Sequence, residues 1–97
     1  MAMTQQYLAG ELSLRLAQLQ TLAADETSLR RVASLRHHAE TDPLTELASI
    51  ANRAIDLADV LCWSSVTRGD VASFNREAAV SAELYEFSVC AGLLTEG

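Results

Sequence analysis

Residues 41–70, TDPLTELASIANRAIDLADVLCWSSVTRGD, carry the punctuation that decides the fold. Pro43 suits the first position of a helix, where its missing N–H costs nothing, and Asp42 can cap that helix. Two apolar stripes then run side by side. Leu47, Ile50, Ala54, Leu57 and Leu61 form one; Leu44, Ala48, Ala51, Ile55, Ala58 and Cys62 form the other. Only Glu46, Ser49, Arg53, Asp56 and Asp59 make a polar strip, so this helix, about residues 43–67, is expected to be the central and most buried one. Gly69 ends it where a left-handed conformation is needed, and Asp70 caps its successor. Arg68-Gly69-Asp70 spells an integrin-binding tripeptide, but these positions explain it as a helix-to-helix turn.

Beyond the Gly69 turn, Val80, Leu84, Phe87, Ala91 and Leu94 share one face of a fourth helix over about residues 71–94, with Phe74, Ala78 and Ser81 beside it. On the N-terminal side, Leu8, Leu12, Leu16, Leu19 and Ala23 step at helical spacing over about residues 4–24. Glu11 and Arg15 stand there in the favourable order for an ion pair. Asp25-Glu26-Thr27 supplies capping oxygens for a helix over about residues 26–40, along which Leu29, Val32, Leu35 and Ala39 continue with a helical period. No strand-like alternation of useful length occurs. The predicted fold is all-α: a single helical domain over residues 1–97, arranged as a four-helix up-down antiparallel bundle of two helical hairpins.

Composition bounds the function. A chain of 97 residues buries roughly 60–65% of its unfolded surface, enough for one core. With 49% hydrophobic and 21% charged residues it should fold. Thirteen acidic against seven basic residues give a net charge of -6, which disfavours nucleic acid as a partner. The basic residues are all Arg, and with the abundant Ala this resembles the usage of GC-rich bacterial genomes. The N-terminus offers no basic leader with an apolar run, and no stretch is apolar enough to span a bilayer, so no membrane and a cytoplasmic location are expected. Cys62 and Cys90 fall about 10 Å and 30 Å from the Gly69 turn along antiparallel helices. That gap exceeds the ~7 Å limit for a disulfide and predicts two buried free thiols.

The third and fourth helices with their Gly69-Asp70 turn resemble the helical hairpin of tetratricopeptide repeats over roughly residues 61–84; the resemblance implies a helix pair and no activity. Arg31 and His37 are similar in spacing to the Arg-x(4-6)-His signature of HEPN ribonucleases, small helical bundles that act as dimers. That resemblance implies Arg31 as a phosphate-contacting cation and His37 as a participant in cleavage. Val32 after the Arg and the location on the second helix depart from the family pattern.

Other chemistries lack their parts. His37 and His38 diverge by about 100° on a helix and cannot readily share a metal with Glu40, so no metal is expected. The basic cluster Arg30, Arg31, Arg36, His37 and His38 is read as complementing a helix dipole and pairing with acids on neighbouring helices. There is no Gly-rich phosphate loop, no serine in a nucleophilic setting and no attachment motif of an acyl carrier protein. Neither an enzyme nor a cofactor is expected. Surplus apolar surface remains, with Tyr7 and Leu14 pointing about 140–160° from the first helix's core face. Trp63 continues a polar strip, and Ala72 and Ala79 leave the outer side of the fourth helix small. These five are candidate interface residues for a protein partner or a homo-oligomer. The leading expectation is a non-catalytic helical protein–protein interaction module in an accessory, inhibitory or adaptor role. The alternatives are the HEPN-like ribonuclease and a small-ligand sensor with Trp63, Phe74, Tyr85 or Phe87 lining a pocket inside the bundle.

Overall fold

The computed structural model describes the backbone of residues 2–23 and 25–96 and the side chains of 6–23, 25–43 and 45–93. Four α-helices, α1 (Ala2–Leu22), α2 (Glu26–Thr41), α3 (Leu47–Arg68) and α4 (Val71–Glu96), form an antiparallel bundle, with no strand among the described residues. Helix α1 packs on α2 and α4, and α3 packs on the same two; α2 and α4 lie on a diagonal without contact among the described residues. The α3–α4 seam is the most extensive. Along it Ser65, Asp59 and Asn52 bond in turn to Glu77, Ser81 and Ser88, so progress down one helix matches progress up the other.

The turns follow from local chemistry. Gly69 has φ 71°, ψ 21°, the left-handed geometry that costs an L side chain strain. Its N–H donates to Val66 O at 3.0 Å and the Asp70 N–H to Ser65 O at 2.9 Å, a Schellman closure of α3. Asp70 then caps α4 through Oδ1, which accepts from the Ser73 N–H at 3.1 Å. Asp25 does the same for α2, accepting from the Ser28 N–H at 3.0 Å. In both caps the hydrogen bonds from the serine, side chain first and backbone second, hold the carboxyl below its ordinary range.

The Asp42-Pro43 junction differs from its sequence reading. Asp42 does not cap α3; it closes α2, donating its N–H to His38 O at 2.8 Å. Its side chain takes the His38 imidazole at 3.2 Å. Proline disfavours helical backbone in the residue before it, and Asp42 is accordingly extended (φ -80°, ψ 155°). A 3-10 turn, Leu44–Glu46, intervenes before α3 begins at Leu47. The ends also move elsewhere: α1 stops at Leu22, and α4 continues to Glu96.

The core is built by Leu8, Leu12, Leu16 and Leu19 of α1, Val32, Leu35 and Ala39 of α2, the Leu47-Ile50-Ala54-Leu57-Leu61 stripe of α3 and Val80, Leu84, Phe87 and Ala91 of α4. Leu44 and Leu94, assigned to stripes by spacing, lie outside the described side chains. On α2 the inward residue of the first turn is Ser28, not Leu29, because the steps to Val32, Leu35 and Ala39 put position 28 on the buried face. The second stripe of α3 divides: Ala51 and Ala58 are buried, whereas Ala48, Ile55 and Cys62 are half-buried at its edge.

Two outcomes test this account. Leu84→Ala should cost about 3 kcal/mol in urea unfolding and Gly69→Ala about 1 kcal/mol, while Leu14→Ala at an exposed site stays within about 0.5 kcal/mol. The cap carboxylates have folded-state pKa values below their unfolded ones, so their contribution is present above the unfolded value near ~4 and is lost as pH falls through the lowered folded value. The Asp25→Asn and Asp70→Asn double variant, whose amides still cap, should unfold with a flatter acid limb than the parent in a pH series followed by circular dichroism.

Candidate interaction surface

The outer face of the α3–α4 hairpin turns away from α1 and α2. From α3 it carries Ile55, Asp59, Cys62, Trp63 and Val66; from α4, Phe74, Ala78, Ser81, Ala82 and Tyr85. These residues line adjoining hollows of about 540 Å³ and 280 Å³. Phe74 stands in the wall of both and of a third hollow over the Gly69 turn. The two larger hollows share Asp59, Cys62 and Phe74, so they neighbour one another along the hairpin as a groove with Phe74 at its centre. Its half near the turn is apolar, with Trp63 73% exposed and Val66 and Val71 also exposed. Further along, Tyr85 is 63% exposed, and Asp59 accepts a hydrogen bond from Ser81 at 3.3 Å across the seam. Contiguous exposed apolar surface of this kind marks interaction sites and ligand-binding grooves alike.

Beneath the turn end of the groove lies a buried polar pair. The Ser65 hydroxyl donates to Glu77 Oε1 at 2.6 Å, and Glu77 is only 4% exposed. Both occupy positions that continue the apolar stripes of their helices, three or four residues beyond Leu61 and before Val80. Ser65 serves twice, since its backbone carbonyl closes the Schellman turn. Next to this pair, burial and then the Glu77 and Asp59 carboxylates push the Cys62 thiol upward, so it stays protonated and weakly nucleophilic.

All five predicted interface residues are exposed, but the structure brings only Trp63 into the groove. Tyr7 and Leu14 stand on the outer side of α1; Ala72 and Ala79 lie on α4 outside the groove walls. The aromatics assigned to an internal pocket separate as well: Phe87 is in the core, whereas Trp63, Phe74 and Tyr85 open outward. Sequence reasoning did not select Tyr85, Ala82 or Ile55 as groove residues. The available signal was the second stripe on each of α3 and α4, of which the bundle buries only a part: Ala51 and Ala58 of α3 are buried, whereas Ile55 and Cys62 reach the groove.

Several other expectations change. Both cysteines are free, but neither is fully buried: Cys62 is half-buried at the edge of α3, and Cys90 is exposed because it follows the outward register of α4, about 100° from buried Ala91. The basic residues of α2 pair mainly within their own helix, Arg30 with Glu26 and His38 with Asp42, while Arg36 reaches Gln20 of α1. The predicted Glu11–Arg15 pair forms at 2.7 Å, and Arg15 also lies 6.0 Å from the Phe87 ring centroid on α4. His37 is exposed and packs edge-on against His38, with ring centroids 5.9 Å apart. Arg31 instead lines a cleft between α2 and α3 from which His37 is absent. Among the described residues no three His, Cys, Asp or Glu side chains are grouped to hold a metal, and no helix is long and apolar enough to cross a membrane. No protein-family model, curated protein or solved structure matches the chain.

The Ser65–Glu77 pair yields a test by difference. Ser65→Ala strands the buried carboxylate and should cost about 1–3 kcal/mol, whereas combining it with Glu77→Leu should recover most of that loss. A double-mutant cycle in urea reads the coupling.

Proposed function

We propose that this protein is a non-catalytic helical interaction module that buries the outer face of its α3–α4 hairpin against another helical surface, a second copy of the chain being the first partner. This reading is supported by the adjoining hollows that meet at Phe74, flanked by exposed Trp63 and Tyr85. Tryptophan and tyrosine are the residues that most often anchor protein interfaces, because each buries a large rigid area for little lost side-chain entropy. Helix-on-helix burial supplies the attraction; Asp59 and Glu86 on the groove wall bear on which partners are tolerated. An accessory, inhibitory or adaptor role uses such a surface without chemistry of its own. The emphasis moves from the Tyr7–Leu14 side of α1 to α3 and α4, where the exposed apolar residues converge.

Sedimentation equilibrium should give a mass above the 10.5 kDa of one chain. Trp63→Glu and Tyr85→Glu, both at exposed positions, should return the protein to one-chain mass with unchanged helicity. A parent that remains monomeric at high concentration and recovers no specific partner by cross-linking would falsify the reading.

A further inference from the structure

The α2–α3 seam is less extensive than the α3–α4, α1–α2 and α1–α4 seams. Helix α2 is only 16 residues long and offers Ser28, Val32, Leu35 and Ala39 as its buried face. The seam opens into a cleft of about 340 Å³, within the size range of small-molecule sites. Leu35, Leu57 and Val60 make its apolar lining. Arg31, Arg53, Asp56 and Ser34 make its polar rim.

The guanidinium groups of the chain divide into two sets. Arg15 is held by Glu11, Arg30 by Glu26, Arg36 by Gln20, Arg68 by Ser64 and Ser65, and Arg76 by Ser73. Arg31 and Arg53 alone make no hydrogen bond or ion pair among the described residues, and both line this cleft. Asp25 feels the charge of Arg31, but its carboxylate is already engaged in capping Ser28. In a chain of net charge -6, two unengaged guanidiniums in one cleft form a local site of opposite sign.

We propose that the α2–α3 cleft binds a monocarboxylate with a short apolar body, the carboxylate between Arg31 and Arg53 and the body on Leu35, Leu57 and Val60. Guanidinium matches carboxylate in shape and can donate paired hydrogen bonds. Among the side chains that line the cleft, two guanidiniums against the Asp56 carboxylate leave a surplus of one positive charge, which suits a monoanion better than a phosphate dianion. The apolar lining distinguishes such a ligand from a bare inorganic anion, and the arginines distinguish it from a neutral hydrocarbon. This site lies on a different seam from the α3–α4 groove and stands whether or not that groove docks a partner.

Sodium octanoate, titrated into the full chain at neutral pH below its micellar range, is the probe. Octan-1-ol and octyl phosphate are the comparison ligands. The expected result is a saturable rise in melting temperature with octanoate, accompanied by methyl shifts at Leu35, Leu57 and Val60 in carbon–proton correlation spectra and none at Val66 in the other groove. Arg31→Gln and Arg53→Gln remove side chains that make no hydrogen bond or ion pair among the described residues, and each should weaken octanoate about tenfold or more. Equal binding of octanol, tighter binding of octyl phosphate, shifts centred on Val66, or unchanged affinity in both Gln variants each overturns the proposal, as does no binding at all. Should one variant fail to fold, the other still decides.

Discussion

The closure of α3 at Gly69 is the constraint on which the remainder of the bundle rests. Its left-handed backbone reverses the chain within two residues, and the two crossed hydrogen bonds to Ser65 and Val66 leave little freedom in the direction α4 takes. The same Ser65 that closes the turn through its carbonyl holds Glu77 through its hydroxyl. The turn and the first inward contact of α4 are thus one unit. Every subsequent pairing along the seam, from Ser81 to Ser88, inherits that register. A seam of Leu and Ala alone tolerates sliding by one helical turn, because one methyl group resembles another. A buried carboxylate with a single side-chain hydrogen bond does not, since sliding strips its partner while leaving it out of water.

Helix α2 is the shortest of the four and α4 the longest. Sixteen residues facing a bundle whose longest helix has 26 cannot seal every seam, and two of the four buried α2 side chains are small. An open cleft lies along this shortest helix, between α2 and α3. The α3–α4 groove has a different setting: each of those helices carries more than one apolar stripe, and a bundle with four members covers only the stripes that face its centre. One opening thus lies along the shortest helix, the other along two helices with apolar surface to spare.

Much of this was legible in the residues. Glycine at 69 and aspartates at 25 and 70 have single strong local uses, and each performs it. The leucine ladder of α1 and the Leu47–Leu61 stripe of α3 reach the core as their spacing requires. Asp42 misled because a capping residue before proline suits a helix start and a helix stop equally; the preceding turn, through His38, decides which. Leu29 misled because hydrophobicity ranks it above Ser28, although periodicity alone favours position 28. Cys90 misled because a thiol adjoining a buried alanine is still rotated a quarter-turn or more away from it. Groove membership was the least legible feature. It depends on which stripes of two separate helices are left over after packing, and no single segment contains that information.

The position of Trp63 also determines what light emitted by this protein can report. It is the sole tryptophan, and it sits outside the core with most of its surface already in water. Unfolding the single chain therefore changes the polarity around the indole very little, and fluorescence is a poor witness to the melting of the bundle. Covering the hairpin changes that polarity greatly. The indole is insulated from the chain's own folding and responsive to whatever comes to lie against it.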